Sequence, residues 1–301
     1  MPKDELDYII EDGSFTSSVK EKNHIYYLHY LPKEKLKKKI IHIIFQHGMI
    51  EYYKRHEELF EYILKTFKTD IVVSAMDLVG HGKSGGNRAY IDSFENYTED
   101  WLHFLTICNE RFYQDHEVET FVVAHSLGGL IVLNILSDEE IELPFKINSI
   151  VLTNPCISPN IHLPKQVESL TKNMNANISK VRVPVIYDAY DLTHDEQRAM
   201  DFIHDQLISK SITIRLGLET IRVSRNITRH SYFFKYPTFF ILSGDDRVVD
   251  NRKARLFIAG MDKSRVKIKE YPQMRHDILN ETCRNEVFFE IITYIKKQLG
   301  K

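Results

Sequence analysis

The sequence lacks any long run of apolar residues. Its longest clean apolar stretches, such as residues 40–45, fall far short of the roughly 20 residues that a membrane-spanning helix needs. The first residues, MPKDELDYIIEDGS, are acidic and contain no apolar segment of the kind that marks a secretory signal. We therefore expect a soluble protein of the cytoplasm without a transmembrane segment.

Cysteine is scarce, and neither sign of charge is in excess. Cys108, Cys156 and Cys283 lie far apart and form no Cys-x-x-Cys pair, which predicts free thiols in a reducing compartment. The 40 Lys and Arg residues against 42 Asp and Glu residues give a net charge of −2. The concentrated basic surface of a nucleic-acid-binding protein is therefore missing, and we expect no nucleic-acid partner.

Metal-binding and phosphate-binding motifs are missing as well. No His-Glu-x-x-His and no cluster of Cys and His ligands occurs in the sequence. Gly82-Lys83-Ser84 is similar to the end of a phosphate-binding loop, but Asp77 stands where that loop requires glycine, and no helical pattern follows the serine. We expect neither a metal nor another cofactor.

Short β-rich runs alternate with helical patterns along the chain. Amphipathic periodicity predicts helices near residues 59–67, 94–108 and 287–295. The predicted central strands are mostly apolar throughout, as in a parallel sheet covered by helices on both faces, and comprise residues 40–45, 71–76, 121–124, 150–153, 238–243 and 266–271. This alternation predicts a doubly wound α/β sheet, preceded by an antiparallel pair at 11–15 and 24–30.

One stretch interrupts the alternation. From Asn154 to Tyr236, 83 residues separate two predicted strands that a single crossover could join in far fewer. We interpret this stretch as a folded cap, which divides the chain into a first core part at 1–154, a cap at 155–236 and a second core part at 237–301. Apolar cap residues either line a substrate pocket or form the cap's own core, and the candidates are Ile178, Ile186, Met200, Phe202, Ile203 and Leu207.

The strongest chemical signal is Ala124-His-Ser-Leu-Gly-Gly129, between a predicted strand and a predicted helix. A tight strand–turn–helix of this kind lifts a serine hydroxyl above the sheet. Small residues at Ala124 and Gly128 leave room for the strained serine backbone and for neighbouring chain. Ser126 is therefore the candidate nucleophile, and the alternative is a serine that only caps a buried helix.

A serine hydroxyl is a poor nucleophile unless a histidine removes its proton and an acid orients that histidine. In this type of fold the chain order is serine, acid, histidine. His276 follows the last predicted strand and is the candidate base. The acid follows the preceding strand, where Asp245, Asp246 and Asp250 are all candidates. The Asp-Arg-Val-Val pattern favours Asp246, and Asp245 is the second choice.

Acyl transfer also needs hydrogen-bond donors for the oxyanion that develops during the reaction. One candidate is the N–H of Leu127, directly after the nucleophile. The loop after the first central strand contains His47-Gly48, which lets the backbone turn across the top of the sheet. We expect the N–H of Met49 to be the second donor, and the alternative is that Gly48 only ends a strand.

The chain resembles the monoacylglycerol lipase and lysophospholipase branch of the α/β-hydrolase fold, a branch of S33-like serine hydrolases. The resemblance runs from about residue 40 to the C-terminus. Ile50 and Ala124 depart from it, because the branch carries glycine at both positions. The matching segments are His47-Gly-Met-Ile-Glu51, Arg55-His-Glu-Glu-Leu59, Asp77-Leu-Val-Gly-His-Gly-Lys-Ser-Gly85, Asp191-Leu-Thr-His-Asp195 and Arg275-His-Asp-Ile-Leu-Asn-Glu281.

The resemblance implies a cofactor-free hydrolase that acts on a small lipid ester with one acyl chain, either a lysophospholipid or a monoacylglycerol. It implies that the cap covers the acyl tunnel and that Glu51, Arg55 and His125 face the polar head of the substrate. Weak peripheral contact with a membrane is compatible with such a substrate, although no basic amphipathic stretch supports it. The oligomeric state does not follow from the sequence.

Other functions use the same scaffold. A short-chain carboxylesterase, a thioesterase or a peptidase would keep the same three catalytic residues. Dehalogenases and epoxide hydrolases that resemble this fold carry aspartate at the nucleophile position, and Ser126 argues against them. The alternative of another class is a hydrolase-fold binding module without catalysis, which usually lacks one of the three residues.

Overall fold

The computed structural model describes residues 8–17, 23–67, 70–161, 176–185, 187–229 and 231–300. Its strands are β1 (Tyr8–Thr16), β2 (His24–Pro32), β3 (Lys39–Gln46), β4 (Ile71–Met76), β5 (Glu117–His125), β6 (Ser149–Thr153), β7 (Arg182–Pro184), β8 (Ser211–Thr213), β9 (Thr238–Ser243) and β10 (Val266–Tyr271). Its α-helices are α1 (Glu57–Phe67), α2 (Glu95–Cys108), α3 (Leu127–Leu136), α4 (Ala176–Ser179), α5 (Ala189–Leu192), α6 (Glu196–His204), α7 (Ile214–Ile227), α8 (Asn251–Ala259) and α9 (Arg284–Gln298).

In the described part of the chain the central sheet contains eight strands, in the order β1-β2-β4-β3-β5-β6-β9-β10. β2 is antiparallel to both β1 and β4, and the other neighbouring pairs are parallel. The apolar residues of β4, β6 and β9 are buried along the whole length of each strand, because parallel strands are covered by their crossover helices. The predicted α/β sheet and its antiparallel leading pair are confirmed.

Helix α3 lies in the interior. Only Asn134 among its ten residues is partly exposed, and the rest are buried. A helix that is apolar on all sides belongs in a core, so α3 follows β5 directly into the centre of the molecule. This places the turn at Ser126 at the carboxyl edge of the central strands, where open α/β sheets assemble their sites.

Between β6 and β9 the chain leaves the central sheet. The described part of this insertion contains α4 to α7 and a small antiparallel sheet of β7 and β8. Thr213 donates hydrogen bonds to the carbonyl oxygen of Ala89 from both its backbone N–H and its hydroxyl. The carboxylate of Glu219 accepts a hydrogen bond from the N–H of Phe94. These contacts attach the insertion to the loop that precedes α2.

The glycine-rich loop after β4 is held by its own polar contacts. The carboxylate of Asp77 accepts hydrogen bonds from the N–H groups of Tyr53 and Lys83, and burial raises the pKa of this carboxyl to about 7. The hydroxyl of Ser84 donates to the carbonyl oxygen of Asp77. The residues that are similar to a phosphate-binding loop therefore bind each other and the neighbouring chain.

Two further sequence-based expectations concern the thiols and the membrane. Cys108, Cys156 and Cys283 are free, as predicted. Among the described residues, none of the helices combines the length and the apolarity that crossing a bilayer requires.

Replacement of Gly128 by alanine tests the packing of α3. A Cβ at this position would collide with the carbonyl oxygens of Gln46 and His47, and both are backbone atoms that cannot easily move. We expect Gly128→Ala to lower the free energy of unfolding by about 1–3 kcal/mol, although alanine is the better helix former. Urea denaturation measures the change. Asn134→Ala on the same helix is the control, and equal stability of the two variants would contradict the close approach.

Candidate active site

Ser126 occupies a strained turn between β5 and α3. Its backbone has φ 50° and ψ −118°, a combination that residues other than glycine rarely adopt. The N–H of Ser126 donates to the carbonyl oxygen of Thr153, and its own carbonyl oxygen accepts from the N–H of Cys156. The hydroxyl makes no capping hydrogen bond to α3. The alternative of a simple helix cap therefore does not describe this serine.

The hydroxyl of Ser126 is part of a chain of hydrogen bonds. Ser126 Oγ lies 2.8 Å from His276 Nε2, and His276 Nδ1 lies 2.8 Å from Asp246 Oδ2. All three side chains are buried. Asp246 lies 120 positions after Ser126, and His276 lies 30 positions after Asp246. The fold brings these three distant residues together at the carboxyl edge of the sheet.

The two oxygens of Asp246 have separate partners. Oδ1 accepts hydrogen bonds from the N–H groups of Val248 and Val249, each at 2.9 Å. Oδ2 faces His276 and is also 3.2 Å from the side-chain nitrogen of Asn251. These donors hold the carboxylate in one orientation toward the imidazole.

The other candidate acids face different partners. Asp245 forms an ion pair with Arg247 at 3.5 Å, and its side chain is 43% exposed. Asp250 caps the first turn of α8 and forms an ion pair with Arg252 at 2.9 Å. Of the three aspartates that the sequence offered, Asp246 is the one whose carboxylate contacts His276.

The electrostatic environment makes His276 a stronger base than a free histidine. Burial by itself lowers the pKa of the imidazole, but the charge and the hydrogen bond of Asp246 outweigh it, with a smaller contribution from Asp277. The pKa of His276 is therefore raised above its ordinary value. This arrangement stabilises the imidazolium that forms when the ring accepts a proton.

Asn154 is a buried residue that sequence reasoning did not select. Its side-chain nitrogen donates to the carbonyl oxygen of His276 at 2.6 Å and to the hydroxyl of Ser243 at 2.8 Å. Its side-chain oxygen accepts from the N–H of Ser243 at 2.7 Å. Asn154 therefore connects the ends of β6 and β9 to the backbone of His276. The sequence signal is an asparagine directly after a buried strand.

The insertion also contacts the loop that carries His276. The carbonyl oxygen of Leu192 accepts from the N–H of Asp277 at 2.8 Å, and the hydroxyl of Thr193 donates to the carbonyl oxygen of Asn280. His194 Nδ1 lies 2.8 Å from the buried carboxylate of Glu281. Residues 192–194 of the insertion and the loop that carries His276 are thus held together by three hydrogen bonds.

His47 orients the peptide group that precedes Met49. His47 Nε2 accepts from the N–H of Leu78 at 2.9 Å, so Nδ1 carries the proton and donates to the carbonyl oxygen of Gly48 at 2.8 Å. Burial lowers the pKa of His47 to about 3, which keeps the ring neutral. Because a trans peptide directs its C=O and N–H in opposite directions, the N–H of Met49 points away from His47.

The loop around Met49 lies directly beside the candidate nucleophile. A Cβ added at Gly48 would come within 2.9 Å of the Cβ of Ser126. Met49 and Ser126 line the same pocket, and Leu127 is the first residue of α3. The backbone around both expected oxyanion donors is therefore adjacent to the hydroxyl.

Five buried ionisable side chains form a cluster next to His276, which we call the polar cluster: Glu51, Arg55, His56, His125 and Asp277. Glu51 accepts from the N–H of Gly48 at 2.6 Å and lies 3.1 Å from His56 Nε2. Arg55 donates to Asp277 at 2.6 Å. Although burial favours the protonated carboxyls, His56 and Arg55 hold the pKa of Glu51 well below its usual value, and Arg55 lowers the pKa of Asp277.

Two of the three expected head-group residues line the pocket. Glu51 and His125 do so, together with Asp277, which sequence reasoning did not select. Arg55 is not among the lining residues, because its guanidinium is paired with Asp277 and lies over the ring of Phe202. The sequence signal for Asp277 was its position directly after His276.

The polar cluster also has the residue types of a metal site. Ligand atoms of Glu51, His125 and Asp277 lie within 4.8 Å of one another. Arg55, however, already places its positive charge against both carboxylates, 2.6 Å from Asp277 and 3.6 Å from Glu51. We therefore interpret the cluster as an internal network of ion pairs and not as a metal centre.

The rest of the pocket is apolar and comes largely from the insertion. The insertion contributes Ile161, Val183, Val185, Tyr187, Leu192, Phe202 and Ile212 to the lining. Among the six apolar residues predicted from the sequence, Phe202 belongs to this set. The described residues Ile178, Met200 and Ile203 are about 40% exposed, so the expectation was wrong for them. Leu207 is half-buried outside the lining, and Ile186 lies outside the described residues.

Helical periodicity explains the error on α6. Ala199 and Phe202 are three residues apart, so they share one face of the helix, and both are buried. Met200 and Ile203 each follow one of these buried residues by one position, about 100° around the helix, and both are about 40% exposed. Apolar character alone did not distinguish the two faces.

A family model described as serine aminopeptidase, S33, matches residues 37–283. The chain belongs to this family. Rat monoglyceride lipase is 26% identical over 86% of the chain and 83% of the lipase, and phospholipase YtpA of Bacillus subtilis is 23% identical over 82% and 91%. The uncharacterised protein YnbC of Escherichia coli is 26% identical over 94% of the chain, which spans 46% of the length of YnbC.

Solved structures of the same fold cover nearly the whole chain. A soluble variant of monoglyceride lipase from Saccharomyces cerevisiae, in complex with a substrate analog, superposes with a TM-score of 0.78 at 19% identity, over 99% of this chain and 97% of that one. The monoacylglycerol lipase of Paleococcus ferrophilus gives 0.74 at 18% identity, over 96% and 99%. The chain is therefore a carboxylic ester hydrolase of the α/β-hydrolase fold. The predicted resemblance to the monoacylglycerol lipase and lysophospholipase branch is confirmed.

Removal of Arg55 tests the polar cluster. Arg55→Met leaves two buried carboxylates without their cation, and we expect the free energy of unfolding at pH 7 to fall by about 3–5 kcal/mol. The pKa values of Glu51 and Asp277 are lowered in the folded protein, so the stability that they contribute is present above their ordinary pKa near 4 and is lost as the pH falls. The difference between variant and wild type is therefore full above about pH 4 and shrinks as the pH falls below that value.

Urea denaturation at a series of pH values measures this difference. Arg252→Met is the matched control, because Arg252 pairs with Asp250 at the surface and its side chain is 85% exposed. We expect this control to unfold at nearly the wild-type urea concentration at every pH. A loss of stability in Arg55→Met that does not change with pH would show that packing, and not charge, is the main contribution of Arg55.

Proposed function

We propose that the chain hydrolyses esters of single-acyl-chain lipids through an acyl-enzyme at Ser126. The observation that carries this proposal is the line of hydrogen bonds from Ser126 through His276 to Asp246, at 2.8 Å each, at the base of a mainly apolar pocket. The membership of the chain in a hydrolase family supports the same conclusion.

The catalytic cycle uses these three side chains in turn. Ser126 Oγ attacks the ester carbonyl while His276 takes its proton, and Asp246 stabilises the imidazolium. The N–H groups of Met49 and Leu127 bind the oxyanion of the tetrahedral intermediate. His276 then protonates the leaving alcohol, and a water molecule that His276 deprotonates attacks the acyl-enzyme to release the fatty acid.

The apolar part of the pocket is suited to an acyl chain. The insertion contributes apolar residues such as Ile161, Val183 and Ile212 to the same pocket that Ser126 lines. An apolar pocket with a few polar groups at one end is the usual form of a small-molecule site. In this proposal residues 155–236 act as the cap that covers the acyl chain, and relatives named as monoglyceride lipases and a phospholipase support a lipid substrate.

The polar end of the pocket favours an uncharged head group. Glu51 and Asp277 present carboxylates to the pocket, and their cation, Arg55, is already paired. A phosphate group bound there would face two like charges without a free positive partner. We therefore place monoacylglycerol ahead of lysophospholipid as the substrate.

A second candidate is hydrolysis of a peptide at its N-terminal residue. The α-ammonium group of a peptide would complement the carboxylates of Glu51 and Asp277, and the family model is named for an aminopeptidase. The mainly apolar walls from the insertion favour the lipid, so peptide hydrolysis ranks second.

Replacement of the nucleophile tests the ester hydrolase directly. Fatty-acid release is measured from monoacylglycerol and from lysophosphatidylcholine, with a short p-nitrophenyl ester and an aminoacyl p-nitroanilide as further arms. Ser126→Ala removes the attacking atom, and we expect turnover of the monoacylglycerol to fall at least about 10⁴-fold. Ser137→Ala, at the far end of α3, is the control for the same chemical change and keeps its activity.

Each of the four substrates distinguishes a different outcome. Faster serine-dependent cleavage of monoacylglycerol than of lysophosphatidylcholine supports an uncharged head group, and the reverse order contradicts it. If only the p-nitrophenyl ester is cleaved, the proposed roles of the three catalytic residues are retained, but the lipid is not the substrate. If the anilide is the best substrate, the second candidate replaces the first. Unchanged turnover in Ser126→Ala would exclude this serine as the nucleophile.

The pH dependence tests the roles of His276 and Asp246. The imidazole accepts the serine proton only when it is neutral, so kcat/KM falls as the pH drops through the pKa of His276. Because that pKa is raised, the midpoint on the acidic side lies above the ordinary value of about 6.5. Asp246→Asn removes the charge that raises it, and we expect a lower midpoint and a loss of about 10⁴-fold in kcat.

The neighbouring aspartate is the matched control for this measurement. Asp245→Asn changes the same type of side chain one position away, at a carboxylate that faces Arg247. We expect nearly wild-type kcat and an unchanged midpoint. If kcat falls further in Asp245→Asn than in Asp246→Asn, the acid is Asp245, which was the second choice from the sequence.

A further inference from the structure

Ile50 has a backbone conformation that is unfavourable for its residue type. Its φ is 58°, in the left-handed region, where Cβ approaches the following carbonyl oxygen. Among the described residues, the others with positive φ that are not glycine are Asp70, Ala89, Ser126 and Asn154, and none of them is β-branched. A branched Cβ makes this conformation particularly costly. Glycine would adopt it without strain.

Ile50 lines the pocket of the proposed active site together with Ser126 and His276. It is 2% exposed and is also part of the hydrophobic core beside that pocket. In the chain it stands between Met49, whose N–H is the expected oxyanion donor, and Glu51, which belongs to the polar cluster. The hydrogen bond from the N–H of Gly48 to Glu51, at 2.6 Å, closes this short loop around Ile50. The side chain therefore has little freedom to leave the pocket.

We propose that Ile50 is a specificity-determining residue that limits the size of the alcohol part of the ester. This inference rests on the proposed function. Glycine at residue 50 would remove the backbone strain. We therefore infer that the isoleucine side chain has a role that compensates for this strain. The volume of that side chain in the pocket provides the role, because it occupies space beside the reacting ester.

We infer from the neighbours of Ile50 in the chain that it lies beside the alcohol part of the ester and not beside the acyl chain. The scissile carbonyl binds at the N–H of Met49, and the chain then passes through Ile50 to Glu51 and the polar cluster. The walls suited to the acyl chain come from the insertion, for example Val183 and Val185. A bulky side chain at residue 50 therefore restricts the group that leaves with the alcohol oxygen, and compact alcohols such as glycerol fit best.

The experiment compares laurate esters of three uncharged alcohols of rising size: methanol, glycerol and sucrose. The values of kcat/KM are measured for wild type, Ile50→Gly and Ile50→Ala. We expect wild type to discriminate strongly against the sucrose ester, and Ile50→Gly to reduce the methyl-to-sucrose ratio by about tenfold or more, as is typical when a few carbon atoms are removed from a pocket. Because all the alcohols are uncharged, the polar cluster affects them in the same way.

Val185→Ala is the matched control among the apolar lining residues that the insertion contributes. We expect it to change the ratio between methyl laurate and methyl butyrate and to leave the ratio between methyl and sucrose laurate as in wild type. A folded Ile50→Gly variant with the wild-type alcohol ratio would overturn the inference. So would a variant in which the acyl-length ratio changes and the alcohol ratio does not, because Ile50 would then lie beside the acyl chain.

Thermal unfolding separates strain from volume. Ile50→Gly and Ile50→Ala both remove most of the side chain, but alanine keeps the strained backbone, so we expect the glycine variant to melt about 2–4 °C higher than the alanine variant. Equal melting temperatures would contradict the strain on which the argument rests.

Wild type alone also tests the inference, in case neither variant folds. Cleavage of sucrose laurate as fast as methyl laurate would overturn it. Failure of the proposed function gives a different result, because then no ester is cleaved in a way that depends on Ser126. Serine-dependent cleavage without discrimination among the alcohols overturns the role of Ile50 alone.

Discussion

The turn at Ser126 is the constraint on which the rest of the site depends. A serine with φ 50° and ψ −118° persists only if the surrounding chain holds it there. The carbonyl oxygens of Gln46 and His47 pack against Gly128 on one side, and Thr153 and Cys156 bond to the serine backbone on the other. The strain is thus balanced by β3 and β6, the two strands that flank β5. The same packing brings the loop after β3 next to the hydroxyl.

A buried ion pair connects two loops of the site that follow different strands of the sheet. Arg55, directly before α1, bonds to Asp277 on the loop after β10, and both are buried. Such a pair stabilises only while both partners are present, because a single buried charge is costly. The pair therefore ties the loop that contains Glu51 to the loop that contains His276. The pocket lining contains two carboxylates and no Lys or Arg, and this is the basis for proposing an uncharged head group.

The insertion contacts the loop of His276 and the pocket in two different ways. Residues 192–194 form hydrogen bonds with the loop of His276, so this part of the insertion is fixed relative to the imidazole. Its apolar residues, such as Phe202, line the pocket, and the ring of Phe202 also lies against the cationic groups of Arg55 and Lys210. In the proposed function the polar contacts position His276, and the apolar surface accommodates the substrate. Ile50 would combine both roles in this proposal, because it follows the expected oxyanion donor Met49 and lines the pocket.

The sequence by itself determined the strands, the turn at Ser126 and the positions of His276 and of the candidate acids. These follow from local patterns, since a strand buried on both faces is continuously apolar and the nucleophile turn is a short motif. Tertiary structure decided between Asp245 and Asp246, which are adjacent in the chain and face different partners. It also paired Arg55 with Asp277 across 222 positions and turned Met200 and Ile203 outward. These outcomes depend on which surfaces meet in space, and that information is not contained in the residues nearby in the chain.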